Sequence, residues 1–314
     1  MTDLAALAPE AAAHWRGTPL RLINARENAV FEMALPDGGR AALRLHRMGY
    51  QSDAAIRSEL WWTAALAAQG VPVPEPLATA NGDLLVRLGT GRMASAVRWL
   101  SGEPLGVSLQ PFDLPTDRLV RLHHALGQML ARLHDATDAL VLPDDFIRPR
   151  WDVPGLVGEA PFWGRFWDHP AADAAQRQTL LAARDFLTTW LSRQTDTPGP
   201  IHADVLRENV LVDGDRLSLI DFDDSGIGFR HHDLGTALIY SVCEPAYPAI
   251  RDALLAGYAQ TRLATVEAIE LFALARACAS VGWTMPRLAA DDPIHRSHIA
   301  RAVMWADVVM RRYM

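Results

Sequence analysis

Between Pro200 and Leu234 the chain reads PIHADVLRENVLVDGDRLSLIDFDDSGIGFRHHDL. Asp204, Asn209 and Asp221 are the residues in this stretch with chemistry to offer. A carboxylate within hydrogen-bond reach of a hydroxyl can take its proton. Two carboxylates and an amide oxygen also make a hard donor set of the kind Mg²⁺ prefers, with water and phosphate oxygens completing its shell. Such chemistry requires residues distant in sequence to meet at one edge.

The intervening residues supply the means. Val210-Leu211-Val212 and Leu217-Ser218-Leu219-Ile220 are short apolar runs on either side of Asp213-Gly214-Asp215. Runs of this kind around a D-G turn predict a β-hairpin. The hairpin returns the chain on itself, so Asp204 and Asn209 before its first strand approach Asp221 after its second.

The spacing H-x-D-x-x-x-x-N, then a hairpin, then D-F-D, resembles the catalytic core of protein-kinase-like phosphotransferases. The branch it resembles holds aminoglycoside phosphotransferases, choline kinases, type II homoserine kinases and bacterial stress-response kinases. Ala203 stands where protein kinases carry Arg, as in the small-molecule branch, and Asp223 stands where D-F-G has Gly. The resemblance implies Asp204 as the residue that accepts or orients the hydroxyl proton. It implies Asn209 and Asp221 as Mg²⁺ ligands, with Asp223 as a further one. Arg44, in Ala42-Leu43-Arg44, falls at the position of the strand-three lysine that clamps the non-transferred phosphates, and Glu59 at that of its acidic partner. Arg is forked and does not substitute neutrally for Lys. The turn Asn24 to Asn28 would cover the phosphates. Val97, Arg98, Trp99 and Leu100 would be the hinge whose backbone faces adenine, and Asp233 would hold the catalytic loop.

The 314 residues are half hydrophobic and 21% charged, with a formal net charge of −7. That composition suits a packed core and not disorder. No basic run exceeds Arg311-Arg312, which disfavours nucleic-acid or anionic-membrane partners. Cys243 and Cys278 imply no disulfide framework and read as small buried apolar residues. No long uncharged apolar stretch suggests a membrane span, and acids near the start argue against a signal peptide, so a cytoplasmic protein is expected.

Glu27 to Leu35 and Arg40 to His46 alternate as strands, and 84–88 and 93–100 read likewise. Thr2 to His14 reads as a short helix. Ser52 caps a helix to Ala68, and Thr116 to Ala136 is a strongly amphipathic helix whose His123, His124 and His134 are structural. Helices follow over 176–193, 247–261, 266–283 and 294–312. The expected fold is therefore α+β. It has two kinase-like lobes, a small antiparallel sheet lobe over residues 1–100 that binds nucleotide and a mainly helical lobe over 101–314 that binds acceptor.

The function read from these residues is transfer of the ATP γ-phosphoryl group to a hydroxyl of a small, amine-bearing acceptor, with Mg²⁺. The irregular segment from Trp151 to Asp168 combines tryptophans with acids, which suits a cationic amine; the same tryptophans also read as core residues. Trp151 and Asp152 are its candidate contacts. Two alternatives stand beside this reading: a Ser/Thr protein kinase of the stress-response type, and a nucleotide-binding pseudokinase suggested by Arg44 and the glycine-poor turn.

Overall fold

The alternating sequence between Thr18 and Leu45 becomes an antiparallel meander in a computed structural model, which describes residues 4–25 and 28–314. After α1 (Leu4–Ala13), strands β1 (Thr18–Ala25), β2 (Ala29–Ala34) and β3 (Arg40–Leu45) pair in order. Side chains alternate between faces of a strand. Ala29, Phe31 and Met33 of β2 therefore lie with Ala41, Leu43 and Leu45 of β3 in one buried cluster, which Leu7, Ala8, Ala11 and Ala12 of α1 join. Thr2 and Asp3 of the expected first helix lie outside the described residues, as do Arg26 and Glu27 of the expected phosphate turn.

The helix expected after Ser52 is α2 (Asp53–Ala68), and the Ser52 Oγ accepts the Ala55 amide at 3.1 Å. Strands β4 (Leu85–Arg87) and β5 (Met93–Arg98) complete a five-stranded sheet in the order β1-β2-β3-β5-β4. Beyond it come β6 (Glu103–Pro104), α3 (Thr116–Asp138), β7 (Arg150–Trp151), α4 (Val153–Val157), α5 (Ala174–Leu191) and β8 (Gly199–Ile201). The hairpin is β9 (Val210–Asp213) and β10 (Arg216–Leu219), turning through Gly214 at φ +65°, a backbone state that favours glycine. The chain ends with β11 (Gly226–Gly228), α6 (His231–Leu238), α7 (Tyr247–Tyr258), α8 (Val266–Thr284) and α9 (Ile294–Tyr313).

Two compact units result. The first comprises Met1–Glu103, Ala139–Arg148 and Leu211–Asp223; the second comprises Pro104–Asp138, Pro149–Val210 and Asp224–Met314. The first is built on the five-stranded sheet with α1 and α2, and the second is mainly helical, so the fold is α+β with a sheet lobe and a helical lobe. In the second unit α3 and α7 approach until backbones touch. A Cβ on Gly127 would meet the Leu254 carbonyl at 2.1 Å, and one on Gly257 the His124 carbonyl at 2.0 Å. Helix α8 is buried around almost its whole circumference, as expected of a helix that is apolar on every side. Among the described residues no helix is long and apolar enough to cross a membrane.

Candidate active site

In the second unit the loop after β8 is held from beneath. Asp233, at the start of α6, is fully buried. Its Oδ2 accepts the His202 amide at 2.9 Å and its Oδ1 accepts the Ala203 amide at 2.7 Å. Ala203 sits at φ +64°, where a Cβ is unfavourable, and these two bonds hold it there. His134 Nε2 donates to the Asp233 carboxylate at 3.1 Å, while its Nδ1 accepts the Tyr258 hydroxyl at 2.9 Å. Burial opposes ionisation of Asp233, but the His134 bond and the loop amides outweigh it and hold the acid below its usual range. His134, expected as structural, is the strut behind the loop.

Asp204 follows with both carboxylate oxygens engaged. Oδ2 accepts Asn209 Nδ2 at 2.8 Å, and the same nitrogen donates to the Asp204 carbonyl at 2.9 Å. That leaves Asn209 Oδ1, the acceptor atom of the amide, outside these bonds. Oδ1 of Asp204 meets Arg276 Nη2 of α8 at 2.7 Å. Arg276 is 4% exposed, donates to Ser280 Oγ and lies over the Trp163 ring at 4.7 Å. Arg207, between Asp204 and Asn209, is buried too. It donates to the Gln110 and Tyr240 carbonyls and to Ser241 and Glu244, and it sits 3.6 Å from the centre of the Phe112 ring.

The first unit carries a second cluster. Arg44 Nη1 of β3 meets Glu59 Oε1 of α2 at 2.6 Å, and Asp223 Oδ1 lies 3.8 Å away. Glu59 is 2% exposed, and Arg148 Nη1 approaches its other oxygen at 3.5 Å. Burial disfavours the Glu59 carboxylate, and Arg44 with Arg148 overcomes this and lowers its pKa. Burial would likewise discharge Arg44, yet Glu59, Asp221 and Asp223 raise its pKa instead. Asp223 is pushed up to about 7, first by burial and then by Glu59 and Asp221. Arg148 also donates to the carbonyls of Ala55, Phe222 and Asp223, so it fixes the Asp221-Phe222-Asp223 turn. Asp221 has φ +64°, a conformation Asp tolerates better than most residues. Among the described residues no three His, Cys, Asp or Glu side chains are grouped so as to hold a metal by themselves.

The structure narrows the adenine expectation. Val97 pairs with Ala42 within the sheet, the Arg98 amide donates to Glu75 O, and the Trp99 amide donates to Arg40 O. Leu100 is the residue of the four whose amide has no acceptor among the described residues. In the expected phosphate turn, Asn28 Oδ1 accepts the Arg47 amide. Trp151 is fully buried and donates to the Asp224 carbonyl, and Asp152 caps α4 at Gly155 and pairs with Arg150. Trp151 is thus a core residue, the other of its two expected readings, and Asp152 is a helix cap rather than the acceptor contact expected of it. Cys278 is buried as expected, but Cys243 is exposed.

Sequence reasoning missed Arg148, Arg207 and Arg276. A signal existed for Arg276, the one cation inside α8. The chain contains no lysine, so all thirty of its Lys-plus-Arg residues are arginine, and Arg44 follows that usage.

The phosphotransferase enzyme family model matches residues 19–272. A homoserine kinase of Pseudomonas aeruginosa (strain UCBPP-PA14) is 32% identical over 275 residues, covering 85% of this chain and 79% of that protein. A solved microcompartment-associated aminopropanol kinase superposes with a TM-score of 0.82 at 28% identity, over 98% of this chain and 97% of the other. The amicoumacin kinase hAmiN has the same fold, with a TM-score of 0.74 at 19% identity over 99% and 94% of the two chains. With the loop of Asp204, the Arg44–Glu59 pair and a match over most of its length, this chain belongs to the phosphotransferase enzyme family.

Proposed function

We propose that this phosphotransferase moves the γ-phosphoryl group of ATP to a hydroxyl of a small, amine-bearing molecule. The carrying observation is Asp204, whose carboxylate is fixed from two sides by Asn209 and Arg276 on a loop that Asp233 clamps. A base so fixed is preorganised, and positioning with charge neutralisation supplies most of the catalysis in this chemistry. Asp204 accepts or orients the hydroxyl proton. Arg44, aligned by Glu59, contacts the phosphates that stay on the nucleotide. The first hundred residues bind nucleotide, with Leu100 the backbone donor to adenine, and the remainder binds acceptor.

The donor atoms fit Mg²⁺. Asn209 offers a carbonyl oxygen because its nitrogen is engaged with Asp204, and Asp221 and Asp223 offer carboxylates. Asp221 and Asp223 in the first unit and Asn209 in the second are each suited to the ion, which when bound would neutralise charge on the phosphates. A small hydroxylated amine is supported by the homoserine kinase and aminopropanol kinase likeness.

The test is ATP turnover by pure protein with amino alcohols, hydroxy amino acids, aminoglycosides and generic protein substrates side by side. Turnover of one of the small amines is expected. Phosphorylation of protein Ser/Thr alone would replace this reading with a protein kinase, and ATP binding without any turnover would replace it with a pseudokinase.

A further inference from the structure

The second unit buries three arginines, Arg276, Arg207 and Arg301, that act on one another's charge, and two of them have an acid partner. Arg276 is matched by Asp204 at 2.7 Å and Arg207 by Glu244 at 3.1 Å. Arg301, on α9, is 9% exposed and has neither an ion-pair nor a hydrogen-bond partner among the described residues. Its guanidinium lies over the Tyr240 ring at 4.3 Å, and its Nη1 is buried without an acceptor. His298, one turn earlier on the same helix, is 7% exposed and its Nδ1 is also unpartnered. Arg276 Nε is a third buried donor without an acceptor. Burial, the largest cause, acts against the charge on Arg301; Tyr240 opposes it, and the nearby charges of Arg276 and Arg207 add to it, so the pKa falls. Burial and the same kind of cationic surroundings, Arg301 and Arg276, hold His298 neutral.

A buried guanidinium without an anion is costly, and buried donors without acceptors add to the cost. A fold keeps such a group where an anion from outside completes it. The forked guanidinium suits a planar carboxylate, which can accept two parallel N–H bonds. Arg276, whose charge acts on Arg301, is the partner of Asp204, and this link makes the acceptor molecule the natural bearer of that anion. We propose that Arg301, with His298 and Arg276, forms a subsite for a carboxylate on the acceptor, so that the acceptor is a hydroxy amino acid and not a simple amino alcohol. This rests on the phosphotransfer reading above and chooses within its substrate class.

The experiment compares L-homoserine with 3-amino-1-propanol, which differ only by the carboxylate, using the full chain with Mg-ATP. A charge-assisted hydrogen bond of ordinary strength corresponds to about 10- to 100-fold in kcat/KM in favour of L-homoserine. Arg301→Met is expected to narrow that ratio mainly by raising the KM for L-homoserine, with Arg301→Lys restoring part of it. Equal or better use of 3-amino-1-propanol by the native protein, a comparison that needs no variant, would overturn the subsite and leave the phosphotransfer reading standing. So would an Arg301→Met variant that loses both activities in the same proportion. If no small alcohol is phosphorylated, the phosphotransfer reading fails, and the subsite is then decided by thermal unfolding with L-homoserine alone. A rise in Tm that Arg301→Met abolishes supports it, and no rise overturns it.

Discussion

The buried triad of Glu59, Arg44 and Arg148 allows a stability prediction with a definite asymmetry. Glu59→Gln keeps the side-chain shape and removes the one charge that both arginines share. Removing one partner of a buried pair costs about 3–5 kcal/mol, because the other charge stays buried and uncompensated. Asp223 lies 3.8 Å from Arg44 and takes over part of the pairing, which puts the expected cost near the lower end, about 3 kcal/mol. Arg44→Met should cost less, about 1.5–3 kcal/mol, the range for a hydrogen bond to a charged group, since Glu59 keeps Arg148 at 3.5 Å. The double variant should then be more stable than the sum of the single losses implies, by at least about 1 kcal/mol. Urea unfolding of the four proteins measures the cycle. The same variants should raise the ATP KM, lower kcat, or both, again non-additively. Losses that add to within about 0.5 kcal/mol would show that Arg44 and Glu59 do not act as a unit.

Asp221→Ala should weaken Mg-ATP binding in titration calorimetry, and unchanged affinity would remove Asp221 from the metal set. Asp233→Ala strips the acceptor from the His202 and Ala203 amides and should lower kcat far more than ATP affinity; a loss confined to the ATP KM would contradict the clamp. Acidification should destabilise the fold through buried neutral histidines. Burial, the largest cause in each case, lowers His46 to about 3, His123 to about 4 and His232 to about 3. An unfolded imidazole takes its proton near pH 6.5, so below that pH the unfolded chain binds more protons and stability falls as pH falls. Each histidine should contribute about 1 kcal/mol of loss between pH 7 and 5.5, and a flat urea midpoint over that interval would be inconsistent with their burial.

Local signals carried the elements of the fold. The Ser52 cap starts α2 one residue later, and Asp213-Gly214-Asp215 turns the hairpin, because caps and φ-positive turns are decided within a few residues. Arg44, Glu59 and Asp233 were reachable through spacing that resembles a family, and the first two pair at 2.6 Å. Other features were set by contacts far apart in the chain. Arg148 fixes a turn more than seventy residues away, and Arg276 meets Asp204 from a helix whose pattern is otherwise apolar. Trp151 and Asp152 read as binding residues by composition, yet tertiary packing made one a core side chain and the other a helix cap. The expected hinge was the least legible part, since a backbone site would rest on amides that every residue type shares, and pairing with Glu75 and Arg40 occupies two of them.

The role proposed for Asp204 is to handle the hydroxyl proton in phosphoryl transfer from ATP. The direct measurement is single-turnover phosphorylation by Asp204→Asn at saturating Mg-ATP and acceptor, with nucleotide affinity measured alongside. The substitution keeps the side chain's size and removes the base and its charge. A rate loss of about 10²- to 10⁴-fold with nearly unchanged ATP binding is the expected result. Near-native turnover by Asp204→Asn would rule out that role for Asp204.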